Sequence, residues 1–506
     1  RDIVDYELIA TMGLLEAVAD QREALLRQIF EVNRATVETG RKGEPAAILI
    51  PAGTQHSPAA AARLIDRLQL GGVEVYRAEA AVEADGRTYP AGTYVIPMAQ
   101  VFARYAKDLL ERQTYPEVRP TPTSPPEPPY DVTAWSLGMQ MGVETVFVRK
   151  PLADSVALKK LTEAPKPAGT VTGTGPRFVF DYRGADASIA INRLFRDGAK
   201  LAFDTTRAGR TSVTRVVVTG ASRKRMDDLA TECGLTVMAG PAPSGAAKPA
   251  GSVTPIRRPR IALYQPWTAS MDEGWTRWVL EQFEFAPTAI HNADVKAGKL
   301  RDMFDVVLLA DQQPRGIMDG QSGASVRPEY RGGIGDEGLE ALRAFVAEGG
   351  TLITLGAACD FAIERWPIPV QNLKRGLTRE QHFAPGTIVR IQVDTASPIG
   401  YGLPADTCGF YNNSPFFTIG DGFASQKVSV VARYPNSDIV GSGWLKGEEL
   451  MAGKAAIVVV DMNPGRIVLF GLRPQHRAQT HATFPLLFNA FYLAASGGQP
   501  AVASGR

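Results

Sequence analysis

"TLITLGAACDFAIERW" (351–366) is the stretch on which the fold of this 506-residue chain turns. Residues 351–355 are a short apolar run between Gly350 and Gly356, the pattern of a strand buried on both faces. The residues after Gly356 suit a helix, so the segment is the strand–turn–helix step of a doubly wound sheet. Cys359 falls at that step. A nucleophile on such an elbow needs small neighbours, so that its sulfur projects while backbone amides gather an oxyanion. Ala358 meets that need, but Asp360 and Phe361 come next, and an adjacent carboxylate raises a thiol's pKa. The expectation is a buried, idle thiol.

Working outward, the same alternation frames the stretch. "RIALYQ" (260–265), "FDVVLLAD" (304–311) and "GRIVLFGLRP" (465–474) read as strands. "MDEGWTRWVLEQF" (271–283) reads as a helix with Trp275, Trp278, Val279 and Phe283 as its apolar residues, and "GDEGLEALRAFVAEGG" as one opened by Asp336 and closed by Gly349. These define an α/β domain over 258–496. Ahead of it, "AAILIP", a helix capped by Ser57 with Pro58 at its first position, "FVFDY" and "TRVVVTG" predict another α/β domain over 44–240, its sheet mostly parallel and covered on both faces. Seven prolines among residues 115–130 mark an extended insertion. A linker is expected over 241–257 and a tail over 497–506.

Residues 3–38 read as one long amphipathic helix stopped by Gly40, with Val4, Leu8, Met12, Leu15 and Val18 on one stripe and Leu25, Ile29 and Val32 continuing it. That much apolar surface needs a body to pack on, and the body is expected upstream. The chain opens "RDIVDYEL" without Met or a signal-peptide pattern, which reads as an internal point of a longer protein.

Composition is ordinary: 44% hydrophobic, 21% charged, formal net charge +2. Nothing in that balance argues for nucleic acid, a membrane surface or a polyanion, and the basic runs at 222–225 and 256–260 read as solvated turns. No apolar run is long enough to cross a bilayer. Three cysteines, Cys233, Cys359 and Cys408, make no disulfide framework.

"VVVTGASRKRMDDLA" (216–230) has Lys224 and Met226 where a dinucleotide-binding turn would carry its later glycines, so it reads as an ordinary strand–turn–helix junction. Of five histidines, His476 and His481 sit together in "RPQHRAQTH", five residues apart, a spacing that does not put both on one helix face. His56, His291 and His382 lack partner ligands at useful spacing, so no metal site is expected in this chain. Arg473, His476, Arg477 and His481 are instead read as a structural, ion-pairing or anion-holding corner. The strand ends of the 258–496 domain offer Gln265, Trp267, Asp311, Gln312 and Arg315 as ligand-binding candidates, for a sugar or another small molecule.

The glycine-ended strand leading to Cys359 resembles the nucleophile step of class I glutamine amidotransferases. His476 stands about where that family's base lies, with Ala478 in place of the orienting acid, so the resemblance implies a retained scaffold with a disarmed site. A cysteine hydrolase using Cys359 with His476 is the alternative. Longer stretches, "RDIVDYELIATMGLLEAVAD" (1–20), "YPAGTYVIPMAQVFARYAKDLLERQTYPE" (89–117), "PPYDVTAWSLGMQMGV" (128–143) and residues 443–492, resemble the C-terminal part of large bacterial zinc carboxypeptidase-like proteins. That resemblance implies that residues 1–41 close an upstream peptidase domain, which would hold the zinc and take the peptide substrate. It also implies a secreted or periplasmic setting and a non-catalytic, accessory role for this chain, with a homo-oligomer left open.

Overall fold

The computed structural model describes residues 2–43, 45–124, 126–208, 211–241, 252–420 and 427–496. The expected tail at 497–506 and residues 242–251 of the expected linker lie outside the described residues. The chain is α/β, with a long N-terminal helix followed by mixed sheets. It divides into two compact units, Arg1–Gln55 with Arg63–Leu110 and Glu144–Pro165, and the remaining segments His56–Ala62, Glu111–Val143 and Lys166–Arg506.

In the first unit the helices Asp2–Asp20 and Arg22–Lys42 meet at Gln21, where helical hydrogen bonding continues: Gln21 N–H donates to Ala17 O at 3.0 Å and Leu25 N–H to Gln21 O at 3.0 Å. The helix stops at Gly43 in the left-handed region (φ +87°), not at Gly40. Gly40 lies within the last turn for another reason: a Cβ there would come 2.0 Å from Met98 O. The sheet runs in the order Val146–Val148, Ala47–Ile50, Tyr94–Pro97, Tyr76–Ala78, Leu158–Lys160, and every pairing is antiparallel. This corrects the expectation of a mostly parallel sheet. Strands of three or four residues carry no signal of direction; direction depends on where each connection re-enters, and helix–strand alternation does not fix that.

The second unit holds two sheets. The smaller runs Ser252–Ile256, Lys200–Ala208, Thr211–Thr219, Arg177–Asp181, Thr236–Gly240, Thr170–Gly173 and is antiparallel except for its last pair. Its edge strand Ser252–Ile256 lies in what the sequence suggested was linker. The larger sheet begins with five parallel strands in the order Thr288–Ile290, Ile261–Tyr264, Val306–Leu309, Thr351–Leu355, Arg466–Phe470. It continues antiparallel through Ala455–Asp461, Lys427–Arg433, Thr387–Val393 and Asp406–Tyr411.

Alternate residues of the parallel strands feed two cores. Leu263, Leu308, Ile353, Leu355, Val468 and Phe470 face the helix Phe484–Ala495 and join the core of the smaller sheet, so both sheets share one interior. Ala262, Val307, Leu309, Leu352, Ile467 and Leu469 face the helices Gly335–Ala347 and Ala358–Arg365. Burial on both faces is why these strands read as unbroken apolar runs. The helix Met271–Gln282 is capped as its sequence suggests, Ser270 Oγ accepting from Glu273 N–H at 3.1 Å. It turns Val279 and Leu280 inward, however, and leaves Trp275 and Trp278 partly exposed.

The basic run at 222–225 is the expected solvated turn, with Arg223 and Lys224 paired to Asp227 and Asp228 one helical turn on. The run at 256–260 differs: Arg257 and Arg260, with Arg301, converge on the fully buried Asp305. Their hydrogen bonds hold the Asp305 carboxyl far below the usual range against the opposing effect of burial. An uncompensated carboxylate could not sit there.

Candidate functional site

Strand Ile261–Tyr264 lies between Thr288–Ile290 and Val306–Leu309, so the strand order reverses at it. In such sheets the crevice at the C-terminal strand ends beside the reversal is where a ligand or a catalytic group sits. Gln265, Trp267, His291, Asp311, Gly356 and Arg473 all come just after these strand ends.

The elbow exists, but its strained residue is glycine. Gly356 directly follows Thr351–Leu355 and takes φ +56°, the left-handed conformation that a side chain resists. The space beside it is filled: a Cβ at 356 would come 2.3 Å from Asp311 Oδ1. That oxygen accepts the Ala357 N–H at 2.6 Å, so a carboxylate occupies the amide at the mouth of the helix. Asp311 Oδ2 accepts from Arg473 Nη2 at 2.6 Å, and Arg473 Nη1 donates to Asp272 Oδ2 at 3.2 Å. The three side chains are only 15–18% exposed. Burial raises the pKa of Asp272, Arg473 opposes the rise, Asp311 adds to it and Arg477 opposes it. The site therefore consists of one guanidinium clamped between two carboxylates, with one negative charge in excess and the Arg473 Nε buried without a hydrogen-bond partner among the described residues.

Cys359 lies three residues beyond the elbow, inside the helix, and is fully buried. Its sulfur sits 3.4 Å from Thr354 Oγ1, Thr354 O and Phe470 O. Burial pushes the thiol far above its ordinary pKa, and nearby Asp360 adds to the rise while the Thr354 contact opposes it. Asp360 turns to Asn372 Nδ2, at 2.9 and 3.1 Å. His476 is stacked flat on Phe410, with ring centroids 3.5 Å apart and planes 10° from parallel. Its pKa is lowered to about 3, first by burial and then by Arg473 and Arg477. A general base near neutral pH needs a value close to 7. The structure thus places Cys359 in the core and pins His476 as a neutral ring against a phenylalanine.

The other candidates scatter. His481 packs on Phe484 and Phe283, at 4.7 and 6.0 Å between ring centroids. Arg477 is exposed and takes φ +44°. Arg315 is a surface residue facing Asp319 at 3.4 Å, and Gln312 lies against Gly316. Gln265 takes part through its backbone oxygen, 2.8 Å from His291 Nδ1. Trp267 is stacked on His291 at 3.9 Å, with planes 5° apart. Gly356 reads in the sequence only as the end of a strand, with nothing local to mark it as the strained position, and Asp272 carries no signal of its own. Among the described residues no three His, Cys, Asp or Glu side chains are grouped to hold a metal ion. No described helix is long and apolar enough to cross a membrane.

No family model matches the chain, and no curated protein matches it. Solved structures similar to it include a protein assigned as part of a GMP synthase from Thermoplasma acidophilum, at 12% identity over 47% of this chain and 95% of that one, TM-score 0.30. A ThuA-like protein from Bacteroides uniformis is similar at 14% identity over 51% and 98% of the two chains, TM-score 0.29. A glutamine amidotransferase from Thermotoga maritima is similar at 9% identity over 43% and 77%, TM-score 0.26. Identities and scores this low say nothing of chemistry.

Proposed function

We propose that this chain is a non-catalytic accessory region whose N-terminal helix is an element of a neighbouring folded domain, the peptidase domain of a zinc carboxypeptidase-like protein. One observation carries the reading. The helix Asp2–Asp20 has no buried residue, yet Ile3, Val4, Tyr6, Leu8, Ile9, Met12, Leu14, Leu15 and Val18 are each 44–73% exposed. Successive helical residues turn by about 100°, so Tyr6 and Leu8 project to nearly opposite sides with Ile3, Leu14 and Val18 between them, while Asp2, Asp5, Glu16 and Asp20 share the remaining narrow face with Ile9. A helix that is apolar over most of its circumference needs a folded body to cover it, and its narrow acidic face is the side left to solvent. Burying one such side chain contributes roughly 1.5–3 kcal/mol, so covering this helix would stabilise an assembly strongly.

The zinc carboxypeptidase assignment of the partner rests on the sequence resemblance of residues 1–20, 89–117, 128–143 and 443–492. In this reading the zinc and the peptide chemistry reside in that partner domain, and this chain contributes packing. The elbow supports the accessory role: Gly356 offers no nucleophile, Asp311 fills the space beside it, and Cys359 is turned into the core. The test is assembly. With the peptidase domain present on the same polypeptide, Leu8→Glu with Leu15→Glu is expected to lower peptidase thermal stability and activity together. Unchanged activity and melting in that variant would remove the proposal.

A further inference from the structure

We propose that the recess beside Trp267 is a saccharide-binding site, and that it takes a pyranose carrying a carboxylate. The recess is an open cavity of about 350 Å³ lined by Trp267, Gln321, Ser325, Val326, Arg327 and Tyr330, a volume within the usual range for small-ligand sites. Trp267 and Tyr330 are each 37% exposed, and their rings meet at 4.8 Å and 49°. The two rings pack against each other as one inclined aromatic patch at the edge of the recess, a surface on which the C–H bonds of a puckered ring can lie.

This aromatic patch is held in place before any ligand arrives. His291 lies parallel to the Trp267 ring and is fixed by the Gln265 backbone oxygen at 2.8 Å. Gln321 Nε2 donates to Trp267 O at 2.6 Å. The loop carrying Tyr330 is tied down by a chain of hydrogen bonds, Tyr264 Oη to Asn292 Oδ1 at 2.6 Å and Asn292 Nδ2 to Gly332 O at 2.8 Å. Arg331 Nε closes the loop onto Val326 O at 2.7 Å. Preorganisation of this kind lowers the entropy lost when a ligand binds.

The charge chooses the sugar. Arg327 is exposed, and among the described residues its guanidinium makes no ion pair or side-chain hydrogen bond, whereas Arg315 and Arg331 are both engaged. One guanidinium fork matches one carboxylate. The Gln321 amide and Ser325 hydroxyl supply neutral hydrogen-bonding groups for ring hydroxyls.

The test is calorimetric titration of the full chain with trigalacturonic acid, and with maltotriose as its neutral counterpart. The acidic trisaccharide is expected to bind at one site, about tenfold or more tighter than maltotriose. Arg327→Gln, a surface change, is expected to reduce the acidic sugar to the neutral level, and Trp267→Ala to remove binding of both. Equal affinity for the two sugars, no heat from trigalacturonic acid at millimolar concentration, or full binding by Trp267→Ala would each overturn the assignment.

Discussion

A Cβ on Gly356 would stand 2.3 Å from Asp311 Oδ1, so the residue at the elbow and the carboxylate beside it exclude any side chain at the position where a nucleophile would project. Gly356→Ala therefore meets both a left-handed backbone and an occupied space. It is expected to destabilise the chain by about 2–4 kcal/mol, read as a lower denaturant midpoint at constant slope. A neutral effect would mean that Asp311 moves aside freely.

Asp311 in turn satisfies the Ala357 amide and one arm of Arg473. Asp311→Ala leaves both without that acceptor in a half-buried setting, at a cost of roughly 2–4 kcal/mol. Asp311→Asn keeps the shape and one acceptor and is expected to lose less. If the two variants melt alike, the retained shape and acceptor contribute nothing beyond the ion pair; if Asp311→Asn melts like the parent, the ion pair contributes nothing beyond packing.

Cys359 is expected to stay unmodified in the native chain. Peptide-level mass spectrometry after iodoacetamide at pH 8 should find it labelled only once the protein is unfolded, because burial holds the thiol protonated. Cys359→Ala should lower stability by about 1–2 kcal/mol through the small void it leaves. Rapid labelling at neutral pH would revive a hydrolytic role with His476.

His476 gives a pH dependence with a defined sign. Its folded pKa is lowered to about 3, while an unfolded histidine titrates near 6.5. Above that value neither state carries the proton. As pH falls from about 6.5 toward 3, the unfolded chain takes up a proton that the folded one refuses, and stability falls by up to about 1.4 kcal/mol per pH unit. His382, lowered to about 4 chiefly by burial, adds a similar loss over a narrower window. His476→Gln should flatten the stability profile between pH 4 and 6 by about one proton's share, with the part due to His382 remaining. An unchanged slope would show that His476 is protonated in the folded chain.

Much of the parallel sheet is legible in the sequence because its strands are buried on both faces, and "VVLL" and "TLITL" then leave little other reading. The helix caps at Ser57 and Ser270 arise from local chemistry, each hydroxyl accepting an amide three residues on. Strand direction before residue 256 is not legible, because it depends on long-range pairing such as Ala47 with Pro97. The elbow is half legible. Its glycine is visible, but which residue bears the positive φ is set by Asp311, 45 residues earlier, and no local pattern joins the two. The recess at Trp267 depends on Tyr330 and Arg327 in a loop without periodicity, so spacing could not have brought them together.

The central claim, that the helix Asp2–Asp20 belongs to a neighbouring domain, is tested most directly by amide hydrogen exchange of residues 2–20. In this chain alone, exchange there should be fast while Thr351–Leu355 is protected to the level of global unfolding. With the proposed neighbouring domain attached, residues 2–20 should become protected to the same level as that strand. Strong protection of 2–20 in the isolated chain at concentrations where it is monomeric would contradict the account.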